Sequence, residues 1–248
     1  MWLDDIDANV FNPYDKNFNY YMSIEHIARY LYAKDLVQTL HCSKVLDASC
    51  GNGYGTEIIS SVADFVYGID MRKRLLTSAI KNSQMRNLQN IDYSYCNLMC
   101  AKLHLPEDNF DLIVCYEILA LLKNQVEVLK AFYNKLNPNG YLLLAVPNYL
   151  YQDNKDIKGH RNTYSKQSII DLLQQLNYNI ISINGQSLSK YLSEKENVLI
   201  NHFNLNSIDV KSYYSYNRES LKYFARLLAY PSEHSVDSSS YFLVLAKR

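Results

Sequence analysis

The segment KVLDASCGNGYG, residues 44–55, combines an apolar run, an acid and three closely spaced glycines. The run ends at Asp47, and Gly51, Gly53 and Gly55 follow at alternate positions. Glycines permit a tight turn and a close approach of a ligand to the backbone, because no Cβ atoms stand in the way. The pattern fits three structures: a turn without a function, a loop that binds a dinucleotide, or a loop that binds another adenosine cofactor.

A second acid, Asp70, ends the later run FVYGID. An acid at the end of a second strand can accept hydrogen bonds from the hydroxyls of a ribose, in dinucleotide sites and in adenosylmethionine sites alike. The glycine spacing separates the two, because a dinucleotide loop has the pattern G-x-G-x-x-G and here Thr56 holds the place of its last glycine. Asp47 would also repel a pyrophosphate, whereas it suits an ammonium group.

Patterns typical of strands and helices alternate through most of the chain. Strands are predicted at 44–49 (a short buried run), 65–70, 91–97, 110–117, 141–147, 179–185 and 240–248. Helices are predicted at 23–40 (with Ser23 as its cap), 56–63, 72–87, 125–136 (closed by the turn NPNG), 165–177 and 219–230. This alternation predicts an α/β fold with a Rossmann-like, mostly parallel, doubly wound sheet, whose ligands bind beyond the carboxyl ends of the strands.

No repeat or low-complexity linker divides the chain, so we expect a single domain over residues 1–248. Its expected parts are an N-terminal helical extension (1–43), a cofactor-binding core (44–185), a lid or substrate insertion (186–230) and the final strand (231–248).

Composition and charge exclude several classes of protein. Lys+Arg and Asp+Glu are both 25, so the basic face expected of a nucleic-acid-binding protein is missing. No run approaches the roughly 18 apolar residues of a membrane span, and the acidic N-terminus lacks a signal pattern. The five cysteines form no C-x-x-C pair, which favours reduced thiols in a cytoplasmic protein. No cluster has the spacing of metal ligands, and the oligomeric state is not predicted.

The ordered motifs resemble those of class I S-adenosylmethionine-dependent methyltransferases, over about residues 23–186. Four segments carry the resemblance: VLDASCGNGYG, VYGID, LPEDNFDLIVCYE and LNPNGYLLLAVPN. Upstream, EHIARYLYA is similar to the helix that precedes the sheet in a bacterial subgroup acting on small molecules and glycans. The resemblance implies S-adenosyl-L-methionine as cofactor and a seven-stranded sheet with an antiparallel last strand, which SYFLVLAKR fits.

The resemblance also implies a role for each matching residue. Asp47 and Gly51 would lie near the methionine amino group, with Gly53 permitting close approach, while Asp70 would bind the ribose and Met71 would pack on the adenine. Four further positions follow the third and fourth strands: Asn97 facing the adenine amino group, Leu98 making a backbone contact, and Cys115 and Tyr116 flanking the cofactor. Plain core packing is an alternative for Met71, Leu98 and Cys115.

The sequence departs from the family pattern at two places. Ser49 stands where the family commonly has glycine, which a negative φ would allow. Related enzymes often continue the acid after the fourth strand as E-x-x-E-H, but here Glu117 is followed by Ala120 and Leu121. Cofactor binding could survive this loss while catalysis is changed or lost.

A hydroxyl acceptor must give up a proton, and histidine is the natural base near neutral pH. His160, in the polar loop KGHRNTYS after the fifth strand, is the first candidate, although a solvated loop would look the same. Glu117 is a second candidate, as a base or an orienting group. On the N-terminal helix, His26, Arg29 and Tyr30 share one face, which either packs on the domain or places Arg29 or Tyr30 at the cofactor carboxylate.

The sequence therefore predicts an enzyme that transfers a methyl group to a small-molecule or sugar acceptor, with a hydroxyl oxygen as the expected methylated atom. The alternative is a non-catalytic, methyltransferase-like protein that binds the cofactor or a partner. A nicotinamide-dependent oxidoreductase is a third hypothesis, against which Asp47 and Thr56 both argue.

Overall fold

The fold was analysed in a computed structural model, which describes residues 12–15, 20–100, 105–106, 109–150, 162, 164–187, 218–234 and 236–248. Over these residues the chain forms seven β-strands and six α-helices. The strands are β1 Lys44–Ala48, β2 Phe65–Asp70, β3 Ile91–Tyr95, β4 Phe110–Tyr116, β5 Leu136–Pro147, β6 Asn179–Gln186 and β7 Tyr241–Lys247. The helices are α1 Tyr20–Thr39, α2 Tyr54–Ser60, α3 Lys73–Met85, α4 Gln125–Lys135, α5 Lys166–Gln175 and α6 Arg218–Ala229.

All seven described strands belong to one sheet, in the order β3-β2-β1-β4-β5-β7-β6. Neighbours from β3 to β5 pair in parallel, and β7 pairs antiparallel with both β5 and β6. The prediction of a Rossmann-like sheet with an antiparallel last strand is confirmed. Since the chain extends the sheet from β1 to β3 and then returns to the other side of β1, the order reverses between β1 and β4. Ligands bind at such a switch point in open α/β sheets.

The central strands β1, β4, β5 and β7 are mostly buried on both faces, as expected for a sheet covered by helices, while the edge strands β3 and β6 are partly exposed. Along β4, Leu112 and Val114 face a core shared with α1, α2 and α6, while Ile113 and Cys115 face a core shared with α4 and α5. This alternation fixes the register of the strand, because a shift by one residue would exchange the two faces.

Helices α1 and α6, far apart in the sequence, pack side by side on one face of the sheet. Arg226 of α6 donates hydrogen bonds of 2.6 and 2.7 Å to the two carboxylate oxygens of Asp35 in α1. The Tyr230 hydroxyl, just after α6, donates to the same carboxylate over 2.5 Å. The predicted N-terminal helix is therefore part of the domain and covers its sheet.

Three element boundaries differ from the sequence prediction. Helix α1 begins at Tyr20, so the predicted cap at Ser23 is wrong, because nothing in the preceding Tyr-Tyr-Met interrupts a helix. Helix α2 begins at Tyr54, because Gly53 adopts a left-handed φ of 82° and ends the loop there. The predicted turn NPNG lies within the bounds of β5, where the pairing with β4 shifts register. Most of the predicted lid insertion, residues 188–217, lies outside the described part of the chain.

Gly55 is required by the ring of Tyr30, which packs directly against the first turn of α2. A Cβ atom at Gly55 would overlap three atoms of that ring. We expect Gly55→Ala to lower the free energy of unfolding by about 1–3 kcal/mol, as overpacking does, although alanine favours a helix over glycine. Urea unfolding measures the change. The control is the Tyr30→Ala background, in which Gly55→Ala should be neutral or stabilising; an equal loss in both backgrounds would contradict the packing explanation.

Candidate functional site

A cavity of about 320 Å³ opens at the carboxyl ends of β1, β2 and β4. Its volume lies in the range of small-molecule binding sites. The residues that line it are Met22, His26, Arg29, Tyr30, Ser49, Cys50, Gly51, Tyr54, Asp70, Met71, Arg72, Leu75, Tyr116, Glu117, Ile118 and Leu121. The switch point of the sheet thus carries a cavity that contains many of the predicted site residues.

Asp70 ends β2 and faces the glycine loop across the edge of the sheet. Its Oδ2 accepts hydrogen bonds from the Gly51 amide (2.9 Å) and from Arg72 Nη2 (3.1 Å). Its Oδ1 accepts from the Arg72 amide (2.8 Å) and from Arg72 Nε (3.1 Å). The carboxylate is almost completely buried, so these donors replace the water that it would otherwise need.

The loop between β1 and α2 reverses direction through three left-handed residues. Ser49, Gly51 and Gly53 have φ values of 73°, 59° and 82°. The negative φ that would make serine tolerable at position 49 is therefore not present, and a non-glycine residue occupies a conformation that favours glycine. The amides of Ser49 and Cys50 both donate to the Ile69 carbonyl, over 2.8 and 2.9 Å, and these two bonds hold the turn against β2.

The two glycines of the predicted site are needed for different structural reasons. Gly51 lines the cavity, and the nearest atom to a Cβ placed there is Arg72 Nη2 at 4.0 Å. Gly53 does not line the cavity, and a Cβ there would overlap the Tyr93 hydroxyl and lie 2.9 Å from the Ala79 side chain. Gly51 is thus the glycine that leaves room for a ligand, while Gly53 serves packing of α3 and β3.

Asp47 is buried beneath the cavity and does not line it. Its Oδ2 accepts a 2.7 Å hydrogen bond from the Thr56 hydroxyl, and its Oδ1 accepts a 3.1 Å bond from the Tyr30 hydroxyl. Burial raises the pKa of Asp47 to about 6; its two hydrogen bonds oppose the shift, and the charge of Asp70 adds to it. The Tyr30 ring, which does line the cavity, stands between this carboxylate and a ligand.

Glu117 follows β4 with a φ of 63°, another left-handed conformation at a non-glycine residue. Its Oε1 pairs with Nη1 of Arg29, a fully buried cation on α1. Arg29 Nε also donates a 2.5 Å hydrogen bond to Gln186 Oε1, and the guanidinium carbon lies 4.0 Å from the centroid of the Tyr241 ring. Arg29 thus joins α1 to the ends of β4 and β6 and to the start of β7.

His26 lies beside this pair at the wall of the cavity. Its Nε2 is 3.5 Å from Glu117 Oε1, and its Nδ1 is 3.1 Å from the Tyr54 hydroxyl. Burial lowers the pKa of His26 to about 4, the Glu117 carboxylate opposes this, and the charge of Arg29 adds to it. The imidazole is therefore neutral at pH 7, and its two ring nitrogens lie next to Tyr54 and Glu117.

The other predicted residues differ in their positions. Leu98 lines a second, much smaller cavity of about 10 Å³ together with Ser49, Asp70 and Met71. The Asn97 side-chain oxygen accepts the Met99 amide over 2.9 Å and so stabilises its own turn. Cys115 is fully buried in the core, while Tyr116 lines the main cavity and donates a 2.8 Å hydrogen bond from its hydroxyl to the Arg29 carbonyl. His160 lies outside the described residues.

Sequence reasoning missed several residues of the cavity wall. Tyr54 lies between two of the motif glycines and Arg72 lies two positions after Asp70, so proximity to the motifs was a usable signal for both. Met22, Leu75 and Leu121 carry no sequence signal, because apolar residues are read as core when only their spacing is known. Among the described residues, no group of three or more His, Cys, Asp or Glu is placed to hold a metal ion. No described helix is long and apolar enough to cross a membrane.

Comparisons with known proteins found one family and many relatives. A family model described as "Methyltransferase domain" matches residues 41–206, which is more than half of the chain. A probable S-adenosylmethionine-dependent methyltransferase of Mycolicibacterium smegmatis is 31% identical over 104 residues, or 42% of this chain and 38% of that protein. A ubiquinone biosynthesis O-methyltransferase of Glaesserella parasuis is 31% identical over 123 residues, or 48% of this chain and 52% of that protein. The chain thus spans about half the length of these relatives or less.

Among solved structures, magnesium protoporphyrin IX methyltransferase of Synechocystis, with bound SAH, has a TM-score of 0.59 and 12% identity. The alignment covers 92% of this chain and 85% of that one. At this identity the likeness concerns the fold alone.

The buried charge of Asp47 predicts a specific pH dependence of stability. Its folded pKa of about 6 lies above the value of about 3.9 in an unfolded chain. The folded protein therefore binds this proton more tightly than the unfolded chain does. The contribution of Asp47 to the free energy of unfolding rises as the pH falls from 6 towards 4. Asp47→Asn lacks this pH dependence. The free energy of unfolding of Asp47→Asn minus that of the wild type should therefore be larger at pH 7 than at pH 4.5, by on the order of 2 kcal/mol. Urea unfolding at the two pH values tests this, and an unchanged difference would contradict it.

His26 predicts the opposite trend. Because its folded pKa of about 4 lies below its usual 6.5, its contribution to stability is present above pH 6.5 and is lost as the pH falls towards 4. We expect the imidazole NMR signals that disappear in His26→Gln to titrate near pH 4. The same histidine in urea-unfolded protein provides the reference near 6.5. A titration near 6.5 in the folded protein would contradict the buried neutral state.

Proposed function

The chain belongs to the methyltransferase-domain family, and on this premise we propose that it transfers a methyl group from S-adenosyl-L-methionine to a small-molecule or sugar acceptor. The sequence resemblance to class I S-adenosylmethionine-dependent methyltransferases is confirmed at the level of the family and the fold. The observation that carries the proposal is the pairing of Asp70 with Gly51 at the wall of a 320 Å³ cavity.

The residues present fit such a cofactor. Gly51 leaves a surface without a side chain, and the Asp70 carboxylate can accept from the hydroxyls of a ribose. Met71, which lines the 320 Å³ cavity, offers apolar contact for the adenine, while Leu98 lines only the small neighbouring cavity of about 10 Å³. When bound, the cofactor supplies a methyl group already activated by its sulfonium.

The amino group of the cofactor would meet Tyr30 before it meets Asp47. The Tyr30 hydroxyl donates to Asp47, so its oxygen lone pairs remain to accept from an ammonium group. Asp47 thus acts through Tyr30, because its buried carboxylate lies behind the Tyr30 hydroxyl. We propose the same positioning role for Thr56, which binds the other oxygen of Asp47.

The acceptor would occupy the side of the cavity formed by Met22, Tyr54, Tyr116 and Leu121. These side chains are apolar or uncharged, which favours a small neutral acceptor over a nucleic acid. His26 is neutral and can take up a proton from a hydroxyl, while Glu117 orients its imidazole. His160 stays a second candidate base. Since all five cysteines, each among the described residues, are free thiols, the cytoplasm is the proposed compartment.

A second candidate function is binding without turnover. It is favoured by the engagement of the Glu117 carboxylate with buried Arg29, and by Ala120 and Leu121 at the positions of the missing Glu-His pair. In that case the site would hold the cofactor while no described carboxylate is left to activate an acceptor directly.

Calorimetric titration with S-adenosylhomocysteine tests the cofactor site. We expect micromolar binding by the wild type and an affinity about 10- to 100-fold weaker for Asp70→Ala, because hydrogen bonds to a charged group contribute about 1.5–3 kcal/mol. Asp171→Ala, on the exposed face of α5, is the matched control and should bind like the wild type. No binding by the wild type would overturn the proposal.

Turnover separates the two candidate functions. Release of S-adenosylhomocysteine from S-adenosylmethionine, measured by chromatography with panels of small phenols and sugars, supports methyl transfer. Binding of the cofactor without product from either panel supports the non-catalytic alternative.

A further inference from the structure

We propose that Arg72 controls ligand binding at the site by occupying, on Asp70, the two positions that the vicinal hydroxyls of a ribose would take. Cofactor binding then requires the displacement of this guanidinium, whose two hydrogen bonds to Asp70 we call the Arg72 latch. The proposal rests on the proposed function, since it assumes a ribose-containing ligand at Asp70.

Each oxygen of Asp70 accepts one backbone donor and one donor of the latch. Oδ1 accepts the Arg72 amide and Arg72 Nε, over 2.8 and 3.1 Å. Oδ2 accepts the Gly51 amide and Arg72 Nη2, over 2.9 and 3.1 Å. A carboxylate offers about four lone-pair positions, so the donors among the described residues fill it.

The arrangement of these donors predicts a one-for-one exchange. Two hydroxyls of a ribose supply one donor for each oxygen, which is what the latch supplies, while the two backbone amides stay in place. Asp70 thus keeps four donors before and after binding. Because its side chain is only 1% exposed, water alone could not replace the latch as well as a diol does.

Arg72 can leave at a modest cost. Its side chain is 44% exposed, whereas the partner carboxylate is buried, so the guanidinium moves into water and regains hydration. Its Nη2 lies near the position above Gly51 that a ligand must approach. The latch therefore lies in the space of the ligand itself, and the two cannot occupy it together.

The side chain of Arg72 has no other structural task at the start of α3. Arg72 is the N-cap residue of α3, and its side chain makes no capping hydrogen bond. Only its backbone amide, which any residue supplies, fixes the turn to Asp70. Replacement of the side chain should thus leave the helix and the fold intact.

The latch also changes the discrimination against ribose analogues. The free protein is the same for both ligands, so the cost of displacing the latch completely cancels from the ratio of their affinities. A ligand with a single hydroxyl returns only one donor to Asp70, but in the wild type one guanidinium hydrogen bond can stay on the other carboxylate oxygen. In a variant that lacks the guanidinium, that buried oxygen loses its partner. The wild type should therefore prefer a full vicinal diol less strongly than a variant that lacks Arg72.

The test is calorimetric titration of S-adenosylhomocysteine and its 2′-deoxy analogue into the wild type, Arg72→Ala and Arg72→Gln. For Arg72→Ala we expect binding of S-adenosylhomocysteine about three- to tenfold tighter, as follows from losing one partly exposed ion pair. Arg72→Gln should be intermediate. The affinity for S-adenosylhomocysteine divided by that for the 2′-deoxy analogue should be smaller for the wild type than for Arg72→Ala.

Lys73→Ala is the matched control, because it removes a neighbouring positive charge that contacts the Tyr95 ring and not Asp70. It should bind like the wild type. A second readout is salt: screening weakens the latch, so added salt should tighten binding by the wild type and leave Arg72→Ala unchanged.

The outcomes separate this proposal from the proposed function. Equal or weaker binding by Arg72→Ala, with a wild type that binds, overturns the latch and leaves the cofactor site standing. Failure of every variant to bind overturns the proposed function and the latch with it.

Discussion

The buried guanidinium of Arg29 is the constraint on which the edge of the sheet depends. A charge in the interior is costly unless it is paired and hydrogen-bonded, and Arg29 meets this condition through Glu117, Gln186 and the Tyr241 ring. These partners end or begin three different strands, so satisfying one cation fixes α1 over the carboxyl edge. It also holds Glu117 in a left-handed conformation, which costs on the order of 1–3 kcal/mol and persists only where the surroundings over-determine it.

The two acids of the site are buried to a similar degree and satisfied in different ways. Asp47 receives two neutral hydroxyl donors, and burial dominates, so its pKa is raised to about 6. Asp70 receives two amides and a guanidinium, and the guanidinium can be exchanged because it reaches in from solvent. Asp70 lines the cavity, whereas Asp47 is buried behind it.

The fold could be predicted to a large extent because its signals are local. Apolar runs such as Phe65–Asp70 bury both faces, and glycine or proline segments end them, so the strands and their order of appearance follow from the sequence. The ends of the helices and strands follow less accurately from the sequence. Helix α2 starts two residues early because Gly53 is left-handed, and Ser49 is left-handed without being glycine. The left-handed turn at Ser49 is held by hydrogen bonds from the amides of Ser49 and Cys50 to the carbonyl of Ile69, which belongs to another strand.

The sequence by itself determined the family motifs, the alternation of elements and the identity of the acids that end β1 and β2. Only the tertiary structure decided which groups those acids bind. Tyr30 reaches Asp47 from α1, and Glu117 meets Arg29 and His26 across the edge of the sheet. These partners are far apart in the sequence, and their spacing does not indicate that they are in contact. Hydrogen bonds and ion pairs act over a few ångströms, so they are defined only after packing has brought the elements together.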